Sequence, residues 1–200
     1  MRITHRLSLL AVAIAAVFAS ACGSDNPTSP GAKPKSPSPG PSQTLLGSPV
    51  TVRTLQRRTP LAAPIVVSKN IGLLGGTISI PAAGLTVVVP PLAVTRNTTF
   101  TVTALAGSAV AYEFEPAGAR FTLPLVVTQS FAETHTEGLN LSLFQGGYFK
   151  SASDIDGRTG TARVSELLNL SVSLAPLIGV FTVTHFSGYL VATGVESRDE

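Results

Sequence analysis

The sequence predicts an all-β fold, an antiparallel β-sandwich preceded by a signal peptide and a disordered proline- and serine-rich tether. Three observations carry this reading. Residues 75–131 alternate apolar and polar side chains almost throughout, the period of a half-buried strand. Gly, Pro and Asn-rich breaks interrupt that alternation at the short intervals of successive hairpins. Beyond the leader, no convincing helical pattern of ten or more residues is present, so the apolar surface has to be buried by sheets facing each other.

The leader comes first. Arg2, His5 and Arg6 form a positive head, and residues 7–18 are an apolar or small-residue run of twelve. That run suits a signal sequence and is too short to span a bilayer. Ala19-Ser20-Ala21-Cys22-Gly23 then resembles the lipobox of bacterial lipoproteins, with Ala19 standing where that family prefers Leu. The resemblance implies cleavage between Ala21 and Cys22, a diacylglyceryl thioether on the Cys22 thiol, and an acyl chain such as palmitate on the new N-terminus. More than one chain makes such an anchor stable. Gly23, rather than Asp, implies the outer membrane if the cell has one. The competing reading is an ordinary secretory signal cut after Ala21, which leaves one unpaired thiol. Cys22 is the chain's single cysteine, so no internal disulfide framework exists.

Residues 23–49 hold seven of the fifteen prolines, with Ser and Gly between them and no apolar period. Such a segment cannot bury a core and is expected to be disordered, reaching roughly 80 Å at about 3.1 Å per residue when extended. The domain boundaries expected are therefore 1–21 for the signal, 22–49 for the lipidated cysteine and tether, 50–195 for the sandwich and 196–200 for a polar tail.

Within the domain, Val50-Thr51-Val52-Arg53 opens an alternating run, and residues 65–68 form the next strand. Gly75 and Gly76 turn the chain into a strand with Ile78 and Ile80 on one face. Leu85, Val87 and Val89 point inward until Pro90 and Pro91 end the pairing. Phe100, Val102 and Ala104 face in against Thr99, Thr101 and Thr103. Val110, Tyr112 and Phe114 follow, then Leu123, Leu125 and Val127, then Leu139, Leu141 and Leu143. Residues 165–170 are read as a helical turn, Asp156 and Gly157 as a hairpin turn, and residues 180–191 as a closing strand with Phe181, Val183, Tyr189 and Val191 inward.

The runs GGTISIPAAGLTVVVPPLAV and YEFEPAGARFTLPLVVT, about sixty residues with what joins them, resemble the ZU-five domain of ankyrins and netrin receptors. That family has a double glycine, a Val-Pro-Pro-Gly loop and a P-x-G-x-x-F-x-x-P segment; here Leu92 stands where the loop glycine usually is. The resemblance implies a β-sandwich used for protein interaction. It also directs attention to His185-Phe186-Ser187, because some ZU-five proteins cleave themselves between the Phe and Ser of such a triplet. The chemistry has Ser187 Oγ attack the Phe186 carbonyl while His185 helps move the proton, aided by backbone strain. His185 and Ser187, two apart, would share one face of a strand. The bland alternative, a histidine and serine with structural roles, is the one adopted.

Other chemistry is thinly supplied. Asp154 and Asp156 lack the later oxygen ligands of a calcium loop and are read as turn residues. His135 is read as a solvated loop residue, and fifty residues separate it from His185, so no metal set and no cofactor are expected. Glu113 and Glu115 form an outward face of one strand. Arg57 and Arg58 are read as a solvated turn. Arg2 and Arg6 account for two of the fourteen basic residues, leaving twelve against eleven acidic. With no Trp and no basic footprint, nucleic-acid binding is set aside. The expectation is a non-enzymatic module of the cell envelope, held to the membrane through Cys22 and meeting a protein or envelope-polymer partner.

Overall fold

The computed structural model describes residues 43–44 and 49–196; the leader, Cys22 and most of the proline-rich segment lie outside the described residues. Strands β1 (Gln43–Thr44), β2 (Val50–Thr54), β3 (Gln56–Leu61), β4 (Ile65–Ile71), β5 (Gly76–Ile80) and β6 (Leu85–Val89) come first. Then follow β7 (Thr98–Ala104), β8 (Gly107–Ala109), β9 (Ala111–Glu115), β10 (Arg120–Ser130), β11 (Gln145–Phe149) and β12 (Ile155–Asp156). The chain closes with β13 (Thr161–Val164), β14 (Glu166–Asn169), β15 (Ser171–Leu174), β16 (Leu177–His185) and β17 (Gly188–Val195). Every pairing given among them is antiparallel.

One sheet has the order β15-β16-β10-β6-β5. A second runs β1-β14-β11-β17-β2-β13-β12, and β17 also pairs with β9, which continues to β7 and β4; β3 and β8 form a separate two-stranded sheet. The two inner faces close on one core. Ile78, Ile80, Leu85, Val87, Val89, Leu125, Val127, Phe181 and Val183 come from the first sheet; Phe100, Val102, Tyr112, Phe114, Tyr189 and Val191 meet them from the second. These are the inward positions that the alternation predicts for β5, β6, β7 and β9. The expected sandwich is the fold observed.

The departures have local causes. Leu123 is exposed rather than inward, because the register of β10 against β16 shifts between Arg120 and Leu125. Leu139, Leu141 and Leu143 form no strand. Asn140 Oδ1 accepts the Ser142 N–H at 3.1 Å, capping a single 3₁₀ turn at Leu141–Leu143 and leaving Leu139 and Leu143 exposed. Residues 165–170 contain strand β14, not a helical turn. Leu168 enters the main core and Leu167 a second, smaller core, so both faces of that strand are covered. The tether expected at 22–49 also loses its end to the sheet, since Gln43 pairs with Leu167 and Thr44 with Glu166. An edge strand needs only backbone groups for that, so composition gives no warning of it.

The second core explains why strict alternation fails in β17. Tyr189 and Val191 face the main core, while Leu190 and Ala192 pack with Val52, Phe149, Ala162 and Val164 on the other side. This strand is flanked by β11 on one edge and by β9 and then β2 on the other. It is the centre of its sheet, and the His185-Phe186-Ser187 triplet lies immediately before it.

Candidate functional site

The triplet sits where the chain passes from one sheet to the other. Strand β16 ends at His185, opposite Arg120, and β17 begins at Gly188, opposite Glu113 and Phe149. The continuous closing strand expected over 180–191 is therefore two strands in two sheets. Two-residue alternation does not run through the break, and the inference that His185 and Ser187 share a face loses its basis.

Phe186 is fully buried, its ring 5.0 Å from that of Phe100, 5.2 Å from Phe114 and 4.7 Å from Phe121. Its backbone is held by the turn before β10. Phe186 N–H donates to Ala119 O at 2.8 Å, and Phe186 O accepts from Gly118 N–H at 2.8 Å. Gly118 adopts φ +77°, a conformation that suits glycine and aims its N–H at that carbonyl. The P-x-G-x-x-F segment and the HFS triplet, separate in the sequence, are thus hydrogen-bonded to each other.

His185 does not serve Ser187. Its Nδ1 lies 3.0 Å from the Tyr189 hydroxyl, and its Nε2 lies 3.6 Å from Glu166 Oε2. Tyr148 stands edge-on to the imidazole with ring centres 5.1 Å apart. The Tyr189 hydroxyl also donates to the His185 carbonyl at 2.5 Å. Burial pushes the Tyr189 phenol far above the ordinary tyrosine range, with the Glu166 carboxylate adding to the same direction, so it is a neutral hydrogen-bonding group. Sequence reasoning missed Glu166, Tyr148 and Tyr189 as partners. They reach His185 from strands β14, β11 and β17, and only the sheet order brings those together.

Ser187 Oγ donates to Phe149 O at 3.4 Å, and Ser187 O accepts from Phe114 N–H at 3.0 Å. Self-cleavage would need Oγ to turn onto the Phe186 carbonyl carbon and lose its proton as the amide nitrogen gains one. Water would then hydrolyse the resulting ester. The carbonyl has one donor, Gly118 N–H, placed to stabilise developing charge on its oxygen. Left-handed backbone strain is not found at the triplet: among the described residues the positive-φ non-glycine is Leu92, at φ +67°. Gly188 answers to close packing. A Cβ there would lie 2.3 Å from Phe149 Cε2.

The remaining candidates fall to local roles. Asp154 Oδ2 accepts from Lys150 N–H and Ser151 N–H, both at 3.1 Å, and completes a capping box. Asp156 Oδ1 accepts from Arg158 N–H at 2.8 Å, a bond that holds its carboxyl below the usual range. These are the turns expected. His135 is exposed, with Nδ1 3.9 Å from Glu137 Oε2. Glu113 is half-buried and Glu115 exposed. Among the described residues, no group of three His, Cys, Asp or Glu side chains is placed to hold a metal, and no helix is long and apolar enough to cross a membrane. Ala21 and Cys22 lie outside the described residues.

Arg57 corrects the expectation of a solvated turn. Arg58 is indeed exposed and pairs with Glu137, but Arg57 lies in β3 and is only 5% exposed. Its Nη1 donates to the carbonyl oxygens of Leu105 at 3.5 Å, Gly107 at 3.3 Å, and Ala109. Its guanidinium carbon stands 5.7 Å from the centre of the Tyr112 ring, within cation–π range. Nε and Nη2 are buried with no hydrogen-bond partner. The chain matches no family model, and no curated protein matches it.

Proposed function

We propose that the protein is a lipid-anchored, extracytoplasmic binding or surface-structural module of a bacterial cell envelope that performs no catalysis on external substrates. The observation that carries the anchor is the run Ala19-Ser20-Ala21-Cys22-Gly23 behind a basic, apolar leader. The proline-rich segment after it supports a domain held off the membrane, and Gly23 supports the outer membrane in a cell that has one. A binding role accords with the β-sandwich and with the resemblance of two of its segments to the ZU-five domain; strands from those segments, β6 and β10, pair with each other. Gly75 packs so tightly on the Val-Pro-Pro loop that a Cβ would lie 2.3 Å from Val89 O. Supporting a non-catalytic role, His185 is occupied by Glu166 and Tyr189 rather than by a nucleophile.

A second reading, self-processing at the Phe186–Ser187 bond, has one observation in its favour: the Gly118 N–H already polarises the Phe186 carbonyl. The anchor is tested by feeding a labelled fatty acid to a bacterial host that expresses the full chain. Label retained through denaturing electrophoresis, and lost in Cys22→Ser, is the expected result. An unlabelled chain beginning at Cys22 would instead establish plain secretion. Capture from envelope extracts with the purified chain then seeks the partner.

A further inference from the structure

Burying a guanidinium without a carboxylate is costly, and the cost persists wherever its N–H groups lack acceptors. Arg57 is in that position. Three carbonyl oxygens and the Tyr112 face satisfy one side of it, while Nε and Nη2 are left over. These two nitrogens form the side of the guanidinium that grips both oxygens of a planar carboxylate at once. Arg57 also lines a cleft of about 280 Å³, with Ala83, Gly84, Ser130, Glu133 and Thr134.

The floor of that cleft is already ordered. Gln129 Nε2 donates to Ala83 O at 3.0 Å and to Ser130 O at 2.8 Å, and Tyr112 OH donates toward Gln129 Oε1 at 2.5 Å. Thr134 Oγ1 donates to Phe131 O at 2.9 Å. Among the described residues no carboxylate pairs with Arg57; Glu133, on the same cleft, has an exposed side chain. The buried cation thus lies beside a cleft with an ordered floor, and among the described residues no anion pairs with it.

We infer that this cleft is a carboxylate-binding site, in which the Nε and Nη2 fork of Arg57 takes both oxygens of a ligand carboxylate, admitted when the turn at residues 131–134 gives up the bond from Arg58 N–H to Glu133 O that holds it closed. The group has two natural sources in a cell envelope, the C-terminus of a peptide and the carboxyl of an acidic sugar. The inference rests on the reading of the domain as a binding module and names the chemistry of its ligand. Acyl labelling at Cys22 tests the anchor separately, so either idea can fail while the other stands.

The test is a titration of the full chain, labelled with nitrogen-15, followed by amide chemical shifts. The probes are a short peptide with a free C-terminus, the same peptide as its amide, glucuronate, and glucuronamide. Saturable shifts at Gly84 and Thr134 are expected with one acid or both, at least about tenfold weaker with the matching amide. The stronger of the two acids identifies the source. Glu133→Gln, which removes a like charge at the mouth, should tighten binding, and Arg57→Lys, which keeps the charge without the fork, should weaken it about tenfold. Should Arg57→Lys fail to fold, the acid and amide pair still decides on the unmodified chain. No saturable shift with either acid, or equal response to acid and amide, overturns the inference.

Discussion

The carbonyl oxygen of Phe186 accepts the N–H of Gly118 at 2.8 Å, so the peptide that joins the two sheets is fixed by the turn preceding β10. The same bond bears on two ideas. It polarises the carbonyl that Ser187 would attack, and it holds the peptide in a hydrogen-bonded network in which His185 is engaged elsewhere. The chain held for days at neutral pH and weighed under denaturing conditions should therefore retain residues 187–200, in wild type and in Ser187→Ala alike. Loss of that segment from wild type alone would establish self-processing.

Phe186 also binds the sandwich together through Phe100, Phe114 and Phe121. Phe186→Ala should destabilise the domain by about 3–5 kcal/mol, the range for deleting a buried aromatic ring. Chemical denaturation would register this as a lower midpoint with an unchanged slope.

Gly188 opens β17 against the Phe149 ring. Gly188→Ala forces one of them to move, at a cost of about 1–3 kcal/mol or more. The control is Gly157→Ala, where a Cβ meets nothing within 4 Å. Thermal melts of the two variants should separate clearly.

Leu92 holds a left-handed conformation while its side chain is 63% exposed. Leu92→Gly removes the steric penalty and forfeits little burial. The expected outcome is a gain of about 1 kcal/mol, reduced by the extra freedom of glycine in the unfolded chain. A lower melting temperature would show that Leu92 makes a contact worth more than its strain.

Tyr112 and Tyr189 both have phenols raised above 10.0, by burial first, with Arg57 opposing the shift at Tyr112 and Glu166 reinforcing it at Tyr189. Above about pH 10 the unfolded chain releases these protons more readily than the folded one. Their contribution is therefore complete below that pH and is lost as pH rises toward the folded values. An absorbance titration of tyrosinate should show both ionising only with alkaline unfolding. Reversible ionisation of either in the folded protein, while near-ultraviolet dichroism persists, would contradict the burial.

Much of the fold was legible because it is a matter of period. Ile78, Ile80, Leu85, Val87, Val89, Phe100 and Val102 face inward as their spacing requires, since each belongs to a strand with one solvated face. The misreadings come where that condition fails. Leu167 and Leu168 are both buried because β14 has a core on each side, and apolar neighbours without alternation resemble a helical turn. Arg57 follows Leu55 at a spacing of two, and both are buried. That phase was the available signal, but charge argued for the surface more strongly than spacing argued against it.

By itself the sequence determined the basic, apolar N-terminal run before Cys22, the proline-rich run after it and the period-two segments that fold as sheets. All of these are local properties, set by composition or by side-chain direction along a strand. Only the tertiary structure decided that Glu166, Tyr148 and Tyr189 surround His185, that Gly118 clasps Phe186, and that Arg57 lies buried with two N–H groups unanswered. Those relationships join residues far apart in the chain through the order of the strands. Strand order is fixed by how two sheets bury their faces together, a choice that no single strand's pattern encodes.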